Sequence, residues 1–195
     1  MEYKQFRFYC QTGNLGMIRD YLADISLEEK EEYLRNVLQT PLRPDVLEYL
    51  GSEVVRLPHE RGTTILIELF YSEEAAARNL AVELFAAFGK QGLEVLQDHL
   101  NDMDADVRLF VVQAMVQLPY KDEVNRLLIK QLHIDKEANV VVAMIEALGD
   151  LGGGEAEAEA IRYAMGQFEH PYIDYVGQRA LRRLGHGPSQ SKESL

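Results

Sequence analysis

The side chains able to bind a metal or move a proton are few and widely separated in this chain. Five histidines stand at positions 59, 99, 133, 170 and 186, whereas a metal centre or an acid–base pair needs several such groups converging on one point. Only His59 is followed directly by a carboxylate, Glu60. One such pair supplies too few ligands for a metal centre, so it reads as a capping or surface feature. The nucleophile templates are missing: no G-x-S-x-G, no Walker motif, no H-E-x-x-H and no Cys/His pattern occurs. Gly152, Gly153 and Gly154 lead into Glu155 and further acids, not into the Lys and Ser or Thr of a phosphate-cradling loop. Cys10 is the only cysteine, which excludes an intrachain disulfide and a cysteine-rich metal site and reads as an inert thiol in a reducing compartment. The expectation is no catalytic residue, no metal and no cofactor.

Composition then limits the partners. With 195 residues, 47% hydrophobic and 27% charged, the chain can bury a core in one domain or in one continuous array. Thirty-two acidic against 20 basic residues give a net charge of −12, which repels phosphate backbones and anionic lipid. The expected partner is therefore a protein, basic or helical in character, and neither nucleic acid nor membrane. The opening MEYKQFRFYCQTG lacks the apolar stretch of a secretory signal, and no apolar run reaches the roughly eighteen residues of a membrane span. A soluble, cytoplasmic protein is expected.

The elements that would position any site are helical. Apolar residues recur at three and four rather than two, and four stretches repeat one pattern: Ala77 to Gly89, Val107 to Pro119, Val140 to Gly152 and Ile173 to Gly185, starting 30, 33 and 33 residues apart. Tandem helical repeats have this signature. Between them lie the partner helices, Thr63 to Tyr71, Leu93 to Leu100, Val124 to Leu132 and Glu157 to Phe168, so each repeat is helix A, a turn and helix B. Upstream, a helix is expected near Asn14 to Asp24. A second is opened by Ser26 with Glu29 as its capping box and ends near Gln39, ahead of Pro41 and Pro44; a third spans Asp45 to Leu57. The domain reading is a divergent helical cap over 1–43, a repeat array over 44–185 and a disordered tail over 186–195.

Within each B helix the first, fourth, fifth, eighth, ninth and twelfth positions form one apolar face, as in Val107, Phe110, Val111, Ala114, Met115 and Leu118. Asp104-Ala105-Asp106-Val107-Arg108, Ala147-Leu148-Gly149-Asp150-Leu151-Gly152 and Ala180-Leu181-Arg182-Arg183-Leu184-Gly185 resemble the HEAT repeat, in the short form seen in phycobilisome-lyase-type proteins. The resemblance covers about residues 60–185 and more loosely the stretch from 44. It implies an all-α fold, a right-handed α-solenoid of HEAT-like helix pairs. It also implies that an Arg at the second position of helix B, here Arg78 and Arg108, pairs with turn acids between Asp102 and Asp106. Val141 and Asp174 occupy that position later, so the ladder is incomplete.

In a HEAT solenoid the B helices line the concave surface. The second, sixth and tenth positions would then be visible, placing Val82, Val112, Val116 and Ile145 in an apolar strip. Leu109 and Val142 lie beside it, and Glu83, Glu146 and Tyr175 border it. Such a strip would take a helix or peptide segment. The alternative is that neighbouring B helices pack laterally and bury these valines themselves. The functional reading is a non-enzymatic protein–protein interaction scaffold. The family also contains bilin lyases and hydroxylases, so a lyase-like or hydroxylase-like subunit acting on a protein-bound group is the second reading. The hydroxylases hold iron with several His–Glu dyads, of which only His59-Glu60 occurs here. Self-association of the strip into a homodimer is the third.

Overall fold

The computed structural model describes residues 2–186; the expected tail lies outside them apart from His186. Twelve α-helices, two short 3-10 turns and no strand occur among the described residues, so the protein is all-α. The chain packs as two compact units, Met1–Leu96 and Gln97–Leu195. This division falls inside the stretch that the periodicity treats as one array.

The first unit begins with α1 (Glu2–Thr12), a helix with no counterpart in the periodicity. Tyr3, Phe6, Phe8 and Tyr9 have modest helix propensity, and only Phe6 and Cys10 are fully buried. Ring packing holds it: Phe6 lies 5.7 Å from Tyr21 and 5.5 Å from Tyr33, and Tyr3 lies 5.2 Å from Tyr33, between ring centroids. Asn14 caps α2 (Leu15–Asp24) by accepting from the Met17 N–H at 3.2 Å. The capping box of α3 (Leu27–Val37) is formed as expected: the Glu29 N–H donates to Ser26 Oγ at 3.3 Å, and the Ser26 N–H donates to Glu29 Oε2 at 2.9 Å. Pro44 opens α4 (Pro44–Val55), where its missing N–H costs nothing. After α5 (His59–Phe70), α6 (Ala75–Leu84) tightens into a 3-10 turn, Phe85–Phe88, and α7 (Gly89–Asp98) follows. Here α3 packs on α5, α4 on α6, and α5 on α6.

The second unit contains a 3-10 turn, His99–Asn101, then α8 (Ala105–Val116), α9 (Lys121–Leu132), α10 (Ala138–Leu151), α11 (Glu155–Gln167) and α12 (Pro171–Arg183). Each B helix starts two residues before its sequence motif. Asp104 caps α8 by accepting from the Asp106 N–H at 2.9 Å. The B helices pack on one another, α8 on α10 and α10 on α12; the A helices α9 and α11 do likewise. Alternate helices thus share a layer within this unit. The glycine-rich stretch is a loop between two helices. Asn125, buried on α9, donates to the Gly152 carbonyl at 2.7 Å and to Glu157 Oε1 at 3.2 Å, anchoring the loop and the start of α11.

Candidate interaction surface on the B helices of the second unit

Register comes first, because it decides which side chains meet. Arg179 pairs with Glu146 and Arg183 with Asp150. Both pairs join residues 33 apart, and both advance by four along their helices. The two helices therefore run parallel, with Glu146 beside Arg179 and Asp150 beside Arg183. Arg108, near the start of α8, reaches Asp135 in the turn that opens α10, so those helices also begin side by side.

The ridge expected to be visible is mostly a packing surface. Val112, Val141 and Ile145 are buried, and a Cβ added to Gly149 would sit 2.8 Å from the Ala180 Cβ. The tenth position of α10 thus presses against α12, and the second and sixth positions are buried. Burying side chains the size of Val112 and Ile145 contributes roughly 1.5–3 kcal/mol each, which is why they pack instead of lining a groove. This removes Val112 and Ile145 from the candidate surface and realises lateral packing at their positions. In α12, where no described helix follows, the second and sixth positions are Asp174 and Gln178, and both are exposed. Val116 and Val82 are half-buried.

The open ridge lies one residue further along, about 100° around the helix. Leu109 and Val142 are half-buried, and Tyr175 is 56% exposed; these three stand 33 residues apart and form one apolar row across α8, α10 and α12. Asp106, Asn139 and Tyr172 flank the row on its amino-terminal side, and Gln113, Glu146 and Arg179 on the other. Tyr172 stacks near Tyr175 with centroids 6.3 Å apart, and the Arg179 guanidinium lies 6.0 Å from the Tyr175 ring centroid. The candidate residues Leu109, Val142, Glu146 and Tyr175 therefore share a face. Val82 and Glu83 lie in the first unit, where Glu83 is exposed.

At the entrance to α10 sits a buried ion pair. Arg108 Nε and Nη2 donate to the two Asp135 oxygens at 2.7 and 3.0 Å, and Nη1 donates to the Asp102 carbonyl at 2.9 Å. Its carboxylate partner comes from the following turn, while Asp104 caps α8, as an Asp just before a helix is expected to. Burial alone would push the Asp135 carboxyl up, but hydrogen bonds from Arg108, the Glu137 N–H and Gln131 outweigh it and hold it below the usual carboxylate range. The Asp135 bond raises Arg108 in turn. In the first unit, Arg78 donates to the Ser72 carbonyl. The signal for the Arg108–Asp135 pair was present, since Asp135 opens its B helix at the place where Asp102 precedes α8, 33 residues earlier.

Groups with chemical potential elsewhere remain apart. His59 and Glu60 are exposed, 3.4 Å from each other. Burial pushes the Cys10 thiol up to about 12, far from a nucleophilic range. Among the described residues no three His, Cys, Asp or Glu side chains are grouped to hold a metal ion, and no helix is long and apolar enough to cross a membrane. No protein-family model and no curated protein sequence matches the chain.

Proposed function

We propose that this protein is a HEAT-like repeat scaffold, a right-handed α-solenoid of helix pairs, that binds a segment of a protein partner on the open face of its B helices without catalysing a reaction. The observation that carries this reading is the row Leu109, Val142 and Tyr175, apolar and partly exposed at a constant 33-residue step. An apolar row between polar rows is how a peptide-binding surface combines contact area with orientation. The net charge of −12 favours a basic protein segment over nucleic acid. The buried residues Val112 and Ile145 maintain the helix spacing, and Leu109, Val142, Glu146 and Tyr175 meet the partner.

The test uses a photo-crosslinking residue in place of the exposed Gln113, in the wild-type background and in a Leu109→Gln/Val142→Gln/Tyr175→Gln variant. Far-UV circular dichroism and thermal melting first establish that both are folded. The expected result is a protein crosslink from native lysate in the wild type and its loss in the variant. An identical crosslink in both would remove this face as the binding surface.

A further inference from the structure

The geometry points to one occupant for this face: a basic segment in the polyproline II conformation, carrying an apolar side chain at every third residue. This deepens the scaffold reading and rests on it.

Spacing makes the first selection. Packed helices lie about 8–10 Å apart, and the close approach of Gly149 to Ala180 keeps α10 and α12 near. A polyproline II chain rises about 3.1 Å per residue with three residues per turn, so side chains on one side recur at roughly 9.3 Å. That step falls within the roughly 8–10 Å expected between the packed helices that carry Leu109, Val142 and Tyr175. A β-strand fails, because its third residue points to the opposite face. An α-helix has a comparable repeat after two turns, about 10.8 Å, but it buries an apolar stripe more than one residue wide. Here the row is a single residue wide on α8 and α10, between Asp106 and Asn139 on one side and Gln113 and Glu146 on the other, and widens only at its α12 end, where Tyr172 lies beside Tyr175.

Hydrogen bonding makes the second. A polyproline II backbone has no internal hydrogen bonds, so it benefits from side chains that both donate and accept. Asn139, Gln113 and Gln117 are such side chains, all exposed along the row. The exposed Tyr172 and Tyr175 rings at its end offer the kind of aromatic surface that proline rings dock against. Charge makes the third. The amino-terminal edge of the face exposes Asp104, Asp106, Glu137, Glu169 and Asp174, against Lys136 and His170. A segment with one side on the apolar row turns its next side toward this edge, and Lys or Arg there completes the match.

The test measures binding of a fluorescein-labelled peptide of repeated Lys-Pro-Leu triplets to the full chain by fluorescence anisotropy. It is run beside a Glu-Pro-Leu peptide and an amphipathic Leu/Lys helix. We expect the Lys-Pro-Leu peptide to bind, and Val142→Gln and Tyr175→Ala each to weaken it roughly tenfold, equivalent to about 1.4 kcal/mol. Replacing its lysines by glutamate should weaken it at least as much. Both protein variants change exposed or half-buried positions, and their helicity is checked by circular dichroism. Tighter binding of the amphipathic helix, lost in the same variants, would overturn the polyproline assignment while leaving the scaffold face standing. Peptide binding that neither variant alters would overturn the placement. No binding of any peptide would overturn this inference, while the Gln113 crosslink decides the scaffold reading separately.

Discussion

The two units tie their neighbouring helices together in different layers. In the first, charged ties run from α3: Arg61 binds Glu31 at 2.8 Å and Glu28 at 3.1 Å and Arg35 binds Glu68 at 2.8 Å, between α3 and α5, and Lys30 binds Glu53 at 3.0 Å, between α3 and α4. In the second, they join the B helices, through Arg179 to Glu146, Arg183 to Asp150 and the buried Arg108–Asp135 pair at the entrance to α10. The side chains between those ties differ accordingly. Thirty residues before Leu109 and Gln113 stand Asn79 and Glu83, so α6 carries no apolar residue where α8 does. A repeat pattern that looks uniform in its buried positions thus carries the apolar row on α8, α10 and α12 and not on α6, because its exposed positions are independent of its core.

Removing the deepest tie should have the largest effect. Asp135→Ala leaves Arg108 buried without its partner and should destabilise the second unit by about 3–5 kcal/mol. Glu53→Ala in the first unit releases Arg56, which is largely exposed, and the partly exposed Lys30, whose flexible stem can carry its ammonium to solvent, so it should cost less, about 1–2 kcal/mol. Urea unfolding followed by unit-resolved hydrogen exchange measures both. Labelling of Cys10, protected while buried, independently reports opening of the first unit. Equal losses would break the contrast between the units.

Acid should reveal the same tie. The Asp135 carboxyl titrates below its unfolded value of about 3.9, so its contribution is complete above that pH and is lost as pH falls through the folded value. Asp135→Asn should therefore flatten the acid arm of the stability curve below about pH 4. An unchanged slope would show that other carboxylates set the acid limit.

Smaller effects follow from close packing. Gly149→Ala forces a Cβ against Ala180 and should cost about 1–2 kcal/mol. Adding Ala180→Gly should recover part of the lost melting temperature, and a strictly additive double variant would argue against contact at this point. Smallest is the half-buried pair Arg179–Glu146. A double-mutant cycle to alanine should give about 0.5 kcal/mol or less, shrinking in high salt; a larger, salt-insensitive coupling would mean that this face is shielded from solvent.

Much of the local structure was legible because it depends on periodicity and caps. The apolar positions of the B helices, the Ser26–Glu29 box, the Asp104 cap and the loop at Gly152 all follow from residue types a few positions apart. α1 was not legible, since its aromatic residues are poor helix signals and are held by Tyr21 and Tyr33 from other helices. The candidate face was legible to within one residue. Periodicity identifies the ridge against helix A but cannot distinguish a ridge facing solvent from one facing the next B helix. Val112 and Ile145 have the same character whether they line a groove or close it. What distinguishes them is the 33-residue register, and the ion pairs that display it join residues that nothing in the local sequence connects.

The parallel register of α10 and α12 also makes the second unit a ruler with a copyable division. Duplicating one period, residues 138–170, would add one B helix and lengthen the apolar row by one mark. Nothing in the chemistry of the existing marks need change. A partner with one further apolar triplet would then gain one further contact, and its affinity would rise in steps set by the number of copies.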